Sequence, residues 1–349
     1  MSSPTRPRAR VTIRHVAEKA GVAVGTVSRV LKGADTVAPA IAERVRAAIA
    51  ELRYVPSLAA QSLRGQGSRT IGCIVPDVSN RLYAQVVDAV KDAVRARGYS
   101  IIVMNTGHVV DREVRSIETA MRWDVEGLIL VGGFEDRPEV EALLGRLGFP
   151  LVQIDRARAD TTTVRVDHGK GLREAIGYLL AAGHRRIGLV TPDGSSLQSR
   201  ERMRAFEEIC RAEGAEDNLA LVRCVEVNEN AGYDAAYDLL TAEAPPTAVV
   251  TLGGDVLAGV LRFVRMRGIE LPRDLSLVAI GDNELTRSLD PPLTAVSWNF
   301  RALGASAVDA LFARILGRES DEGRITTIDC RLIERESVRR LDPSAAGDG

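Results

Sequence analysis

The strongest constraint on this chain is a rhythm that begins at Thr70. "TIGCIVPD" is a near-continuous apolar run, and "RLYAQVVDAVKDAVRARG" after it repeats apolar residues at helical spacing as far as Gly98. The pair then recurs as strand "YSIIVMNT", helix "DREVRSIETAMRW", strand "VEGLILVGG", helix "PEVEALLGRLG" and strand "PLVQID". Unbroken apolar strands are covered on both faces, and crossover helices supply that cover. The chain therefore predicts an α/β fold built on a parallel sheet. After "TTVRVDHGKG" the rhythm restarts with helix "GLREAIGYLLAAG" and strand "RRIGLVTP", and runs on to "LSLVAIGDN". Two doubly wound halves in series place a cleft between them, at the carboxyl ends of their strands.

The chemistry this scaffold could carry is narrowed by what is missing. No G-x-x-x-x-G-K-[ST] and no G-x-S-x-G occurs, and Gly65-Gln66-Gly67 precedes a strand where a dinucleotide loop would follow one. His15, His108, His168 and His184 show no metal-ligand spacing, and Cys73, Cys210, Cys224 and Cys330 form no C-x-x-C pair. Four buried free thiols, no metal, no cofactor and no enzymatic constellation are the expectation. The basic start "MSSPTRPRAR" leads into no apolar stretch, and no apolar run is long enough to span a bilayer. A cytoplasmic protein is expected.

Charge separates the first segment from the rest. Met1 to Gly65 holds eleven basic and four acidic side chains, a net +7 in a chain whose total is −1. A basic head on an acidic body points to a polyanion as the head's partner. The head reads as three short helices. Thr12 is placed to cap "IRHVAEKA", which puts Ile13, Val16, Ala17 and Ala20 on one face and ends at Gly21. A second helix from about Ala23 to Leu31 turns Val27, Val30 and Leu31 inward, and Gly33 closes it. Pro39 opens the third, "PAIAERVRAAIAEL", with Ile41, Val45, Ala48, Ile49 and Leu52 periodic and Pro56 beyond its end. "SLAAQSLRGQGSR", residues 57–69, follows as a marginal short helix and a linker that order only when something holds them.

Several motifs, in order along nearly the whole chain, resemble the lactose/galactose repressor (LacI/GalR) family. "VTIRHVAEKAGVAVGTVSRVLKG" is similar to that family's opening signature, and "ELRYVPSLAAQSLR" to its hinge. "TIGCIVPDVSN", "GHRRIGLV", "PRDLSLVAIGDN" and "PPLTAVSWNF" match its core in register. The resemblance implies a homodimeric DNA-binding regulator, with a helix-turn-helix head and a periplasmic-binding-protein-like core of two doubly wound subdomains. It divides the chain into a basic tail (1–10), head (11–56), hinge (57–69), core (70–341) and a short tail. The first core subdomain is expected over about 70–165 and 298–326, the second over 166–297 and 327–341. Its partners would be palindromic operator DNA and a small effector, and induction by that effector is the commoner habit of such proteins. A transport module with the same core is the rival reading, which the basic head and the missing leader disfavour. A ligand-activated corepressor-type regulator is the other.

Residue roles follow from the same match. Thr12, Thr26, Ser28 and Lys32 are candidate phosphate contacts and Arg29 the candidate base reader, since arginine can grip guanine through two hydrogen bonds. Arg14 and Tyr54 are secondary candidates. Val24 offers only apolar contact, as to a thymine methyl, and Gly25 lets the backbone come close. Ala60 and Leu63 stand where family members wedge a leucine into the minor groove. In the cleft, Asp155 and Asp282 match positions that bind ligand hydroxyls, and Arg202 matches a ligand-clamping arginine. Asn80, Leu82, Tyr83, Gln198, Val227, Gly254 and Trp298 complete the expected wall. The chain departs from the family at Ala23, often serine, at His15, commonly an acid, and at Val227, often an aromatic. Leu82, where an aromatic is frequent, disfavours a flat purine. Trp298 supplies an aromatic face of its own, and two carboxylates with an arginine suit a sugar or sugar acid.

Overall fold

The computed structural model describes residues 11–31, 36–54, 67–134, 137–156, 158, 160–194, 196–318 and 323–341. The chain falls into two compact units, Met1–Ser68 and Arg69–Gly349.

The first unit holds helices α1 (Ile13–Ala20), α2 (Val24–Leu31) and α3 (Pro39–Leu52). Their apolar faces meet in one small core of Val16, Ala17, Ala20, Val27, Val45 and Ala48. The first turn of α1 is closed by His15, whose Nδ1 accepts the Thr12 N–H at 3.1 Å. An imidazole thus does here what an acid at the third helical position does in a capping box. Gly21 ends α1 at φ 63°, a left-handed turn that brings the Val22 N–H back to the Ala17 carbonyl at 3.0 Å. Pro39 opens α3 as expected. Two expectations change. Leu31 does not turn inward but is 36% exposed. Tyr54, expected to face DNA, is 7% exposed and belongs to the head's own core.

The second unit contains two six-stranded sheets. The first is built from β1 (Thr70–Val75), β2 (Ser100–Asn105), β3 (Gly127–Val131), β4 (Leu151–Ile154), β5 (Thr162–Val166) and β11 (Ile325–Ile328), in the order β11-β5-β4-β3-β1-β2. The second is built from β6 (Ile187–Pro192), β7 (Val222–Val225), β8 (Ala248–Leu252), β9 (Ser276–Ile280), β10 (Thr294–Trp298) and β12 (Cys330–Ile333), in the order β12-β10-β9-β8-β6-β7. Every pairing is parallel except β10 with β12. The chain passes between the sheets after β5, after β10 and between β11 and β12.

Helices α4 (Arg81–Arg95), α5 (Val110–Arg122), α6 (Pro138–Leu144) and α12 (Phe300–Ile315) flank the first sheet. The second is flanked by α7 (His168–Ala181), α8 (Leu197–Ala212), α9 (Glu229–Leu240) and α10 (Asp255–Met266), with the short α11 (Glu284–Ser288) after β9. Central strands β1, β3, β4, β8 and β9 are buried at every position, which is why they read as unbroken apolar runs. Strand β2 reads the same way but lies at a sheet edge, with Val103 exposed. Edge strand β7 likewise leaves Cys224 exposed, so three of the four thiols are buried where four were expected.

This topology positions the site. Strand β1 pairs with both β2 and β3, and β6 with both β7 and β8. Successive loops leave in opposite directions at those two points, and the crevice opens at the carboxyl ends of the strands.

Candidate effector cavity and DNA-binding head

A cavity of about 590 Å³ lies at the carboxyl ends of both sheets. Beyond β1, Asn80 caps α4 by accepting the Leu82 N–H at 3.0 Å, and this turn sets Asn80, Leu82 and Tyr83 along the wall. Beyond β3, Gly133 and Phe134 contribute. Beyond β4, Asp155 adopts φ 52°, a strained conformation for a residue with a side chain. Its Oδ1 accepts the Val166 N–H at 2.7 Å, and its Oδ2 lies 3.3 Å from His168 Nε2.

The second sheet supplies the opposite wall. Gln198 and Arg202 stand one turn apart on α8, so both face the cavity. Arg202 is buried and donates from Nη2 to His168 Nδ1 at 3.1 Å. Burial pulls its guanidinium below the ordinary arginine value, and Asp155 pulls in the opposite direction. Burial, with Asp155 adding to it, pushes the Tyr83 phenol up to about 12, so it stays a neutral donor. Val227 lines the wall after β7. At the end of β10, Trp298 meets Phe300 at 5.1 Å between centroids and the His168 ring edge-on at 5.6 Å. The result is an apolar platform beside an Asp–His–Arg cluster.

Two expected wall residues are not among those lining the cavity. Gly254, at φ 72°, begins α10 on the side facing Asn80. Asp282 is the larger correction, because its carboxylate is already used. It accepts from Arg287 at 3.0 and 2.8 Å, from the Thr286 hydroxyl at 2.8 Å and from Arg335 at 2.9 Å. Burial raises its pKa, but these hydrogen bonds outweigh burial and leave it below the usual carboxylate range. It fastens β9 and α11 to the segment after β12.

His168 is the residue sequence reasoning missed. A signal was present: Asp167 caps α7, accepting the Lys170 N–H at 2.8 Å, and so sets position 168 in a first helical turn at the carboxyl end of β5. Asp193 and Glu226 at the wall were missed as well. Among the described residues, no group of three or more His, Cys, Asp or Glu side chains could hold a metal ion.

In the head, Thr12, Arg14, Gly25 and Arg29 are exposed, Val24 is 41% exposed, and Thr26 and Ser28 are half-buried. Gly25 and Arg29, four apart, share one face of α2. Lys32, Ala60 and Leu63 lie outside the described residues.

Comparison with known proteins agrees with this architecture. A family model described as bacterial regulatory proteins, lacI family, matches residues 12–57, and one described as a periplasmic binding protein-like domain matches residues 176–338. The chain is 32% identical over 330 residues to the ribose operon repressor of Escherichia coli (strain K12), covering 94% of this chain and 99% of that protein. It is 28% identical over 335 residues to the HTH-type transcriptional repressor CytR of the same strain, covering 95% and 97%. Among solved structures, the lac repressor dimer bound to operator and the anti-inducer ONPF is similar with a TM-score of 0.81 and 26% identity, over 95% of this chain and 100% of that one. The transcriptional regulator CelR–cellobiose complex is similar with a TM-score of 0.72 and 28% identity, over 94% and 100%. The chain, with its helix-turn-helix head and two-sheet core, belongs to the LacI family of bacterial transcriptional regulators.

Proposed function

We propose that this protein is a homodimeric repressor whose operator affinity is lowered by a neutral sugar bound in the cavity. The observation that carries the effector class is the Asp155–His168–Arg202 cluster set against the Trp298–Phe300 platform. A sugar ring has an apolar C–H face for an aromatic surface and hydroxyls that both donate and accept. Of the sugar and the sugar acid, the wall favours the neutral one. Among the described residues, Asp155, Asp193 and Glu226 line the cavity with a single guanidinium, Arg202, which already donates to His168 and feels the charge of Asp155. A further carboxylate would meet a wall of its own sign. That a relative is a ribose operon repressor and that CelR forms a complex with cellobiose supports a carbohydrate for this chain too.

In this reading residues 11–56 are the DNA-binding head, 57–69 the hinge and 70–341 the effector core. Arg29 reads bases, while Thr12, Thr26, Ser28 and Lys32 position the head on phosphates. A dimer carries two heads to a palindromic operator in the cytoplasm. The sugar binds both halves of the cleft and favours one state of closure, and the coupling to DNA is reciprocal.

The test is a thermal-shift panel of neutral pentoses, hexoses, disaccharides and sugar acids on the full chain. At least one neutral sugar should raise the melting temperature in proportion to the logarithm of its concentration. Stabilisation by sugar acids alone, or by no carbohydrate, would overturn the assignment.

A further inference from the structure

Three nitrogen donors in the cavity wall have no hydrogen-bond acceptor among the described residues: His168 Nε2, Arg202 Nε and Trp298 Nε1. All three side chains are more than nine-tenths buried, and all three line the same cavity. Folded proteins keep few such groups, and three in one wall mark the place where a ligand supplies the acceptors.

The protonation of His168 follows from its neighbour. A guanidinium can only donate, so the contact from Arg202 Nη2 at 3.1 Å requires His168 Nδ1 to accept. The single proton of the neutral ring is then on Nε2. That N–H lies within 3.3 Å of Asp155 Oδ2 but at an angle that leaves it without a hydrogen bond. Asp155 Oδ1 is already committed to the Val166 N–H, so Oδ2 is the oxygen turned toward the ring. A donor at the start of α7, just after β5, and an acceptor just after β4 lie 3.3 Å apart and face one point in the cavity.

We infer that His168 is a specificity-determining residue for the effector: its Nε2–H donates to a sugar hydroxyl that in turn donates to Asp155 Oδ2. One hydroxyl oxygen can satisfy both, because it accepts and donates at once. Arg202 is the positioning residue that fixes the tautomer. A C–H at that ligand position leaves both protein groups buried and unpaired, and an ammonium can donate to Asp155 but cannot accept from His168. The pair therefore selects a hydroxyl over hydrogen and over an amine. This inference rests on the neutral-sugar reading.

The experiment is isothermal calorimetry on the full-length protein with whichever neutral sugar of the panel binds, and with its monodeoxy and amino analogues at each position. In the wild type, one position should be singled out, where removing the hydroxyl or replacing it by an amine weakens binding roughly 10- to 100-fold. His168→Phe keeps the ring volume without the nitrogens. It should lose a similar factor for the parent sugar and leave the deoxy sugar nearly unaffected, so that discrimination at that position collapses. His168→Gln, which keeps an N–H, should retain part of it and serves if the Phe variant fails to fold. A merely structural role would weaken every analogue alike. Binding of no sugar by the wild type overturns the neutral-sugar reading itself, and this inference with it. Binding with full discrimination retained in the His168 variants overturns the His168 assignment alone.

Discussion

Leu82 and Gly281 meet across the cleft: a Cβ placed on Gly281 would lie 2.7 Å from Leu82 Cδ2. Leu82 lies in the first turn of α4, which flanks the first sheet, and Gly281 follows β9 on the second at φ 105°. The contact sets how closely the two halves approach at the cavity's edge. Gly281→Ala adds a methyl to this contact and forces a side chain into a backbone region that favours glycine. The variant should lose about 1–3 kcal/mol of stability in thermal or denaturant unfolding. It should also bind sugar more weakly in calorimetry. Leu82→Ala in the same chain should restore sugar binding more fully than stability, because it relieves the contact and not the backbone strain.

Asp282 is a structural carboxylate, so its loss should be felt as instability. Asp282→Ala strands the Arg335 guanidinium that now donates at 2.9 Å, and should cost about 3–5 kcal/mol. The pH dependence has a definite sign. The native pKa of Asp282 is lowered, so its contribution is complete above the unfolded carboxylate value of about 4 and is lost as pH falls through the native value. Melting curves from pH 7 down to 3 should therefore fall more steeply for the wild type than for Asp282→Asn. Parallel curves would contradict this role.

Tyr54 separates a core role from a DNA contact. It packs into the head with Val16, Val45 and Ala48. Tyr54→Phe should keep operator affinity within about twofold, and Tyr54→Ala should unfold the head at a cost of about 3–5 kcal/mol. A large loss of affinity in the Phe variant, with the head still folded, would restore the hydroxyl as a DNA contact.

The thiols offer an inexpensive check of the fold. Burial pushes Cys73 and Cys330 up to about 12 and Cys210 up to about 11, whereas Cys224 is exposed on β7. An excess of thiol reagent at pH 8 should modify one cysteine per chain rapidly, and Cys224→Ser should abolish that phase.

Much of this architecture was legible because the signals are local. Strand–helix alternation from Thr70, Pro39 at the start of α3 and Gly21 at the end of α1 each depend on residues within a few positions of one another. What escaped depends on distant partners. Asp155 and Asp282 both follow strand ends and look equivalent in the sequence. What separates them is that Asp282 is occupied, by Thr286 and Arg287 of the short α11 and by Arg335, which arrives from beyond β12. Leu31 fits the apolar spacing of α2, but helical spacing says nothing of how far a helix is covered at its end. Val103 and Cys224 read as buried because nothing local marks β2 and β7 as edges. His168 went unread because its chemistry comes from two neighbours far along the chain, Asp155 and Arg202.

The central claim is that occupation of this cavity is coupled to the hold on DNA. Its most direct test is fluorescence anisotropy of a labelled operator, selected from random duplexes by the full-length protein, at fixed ionic strength with and without the sugar that stabilises the chain. Saturating sugar should weaken operator binding by about 5- to 150-fold. A sugar that binds the cavity yet leaves operator affinity unchanged, or tightens it, would contradict the account.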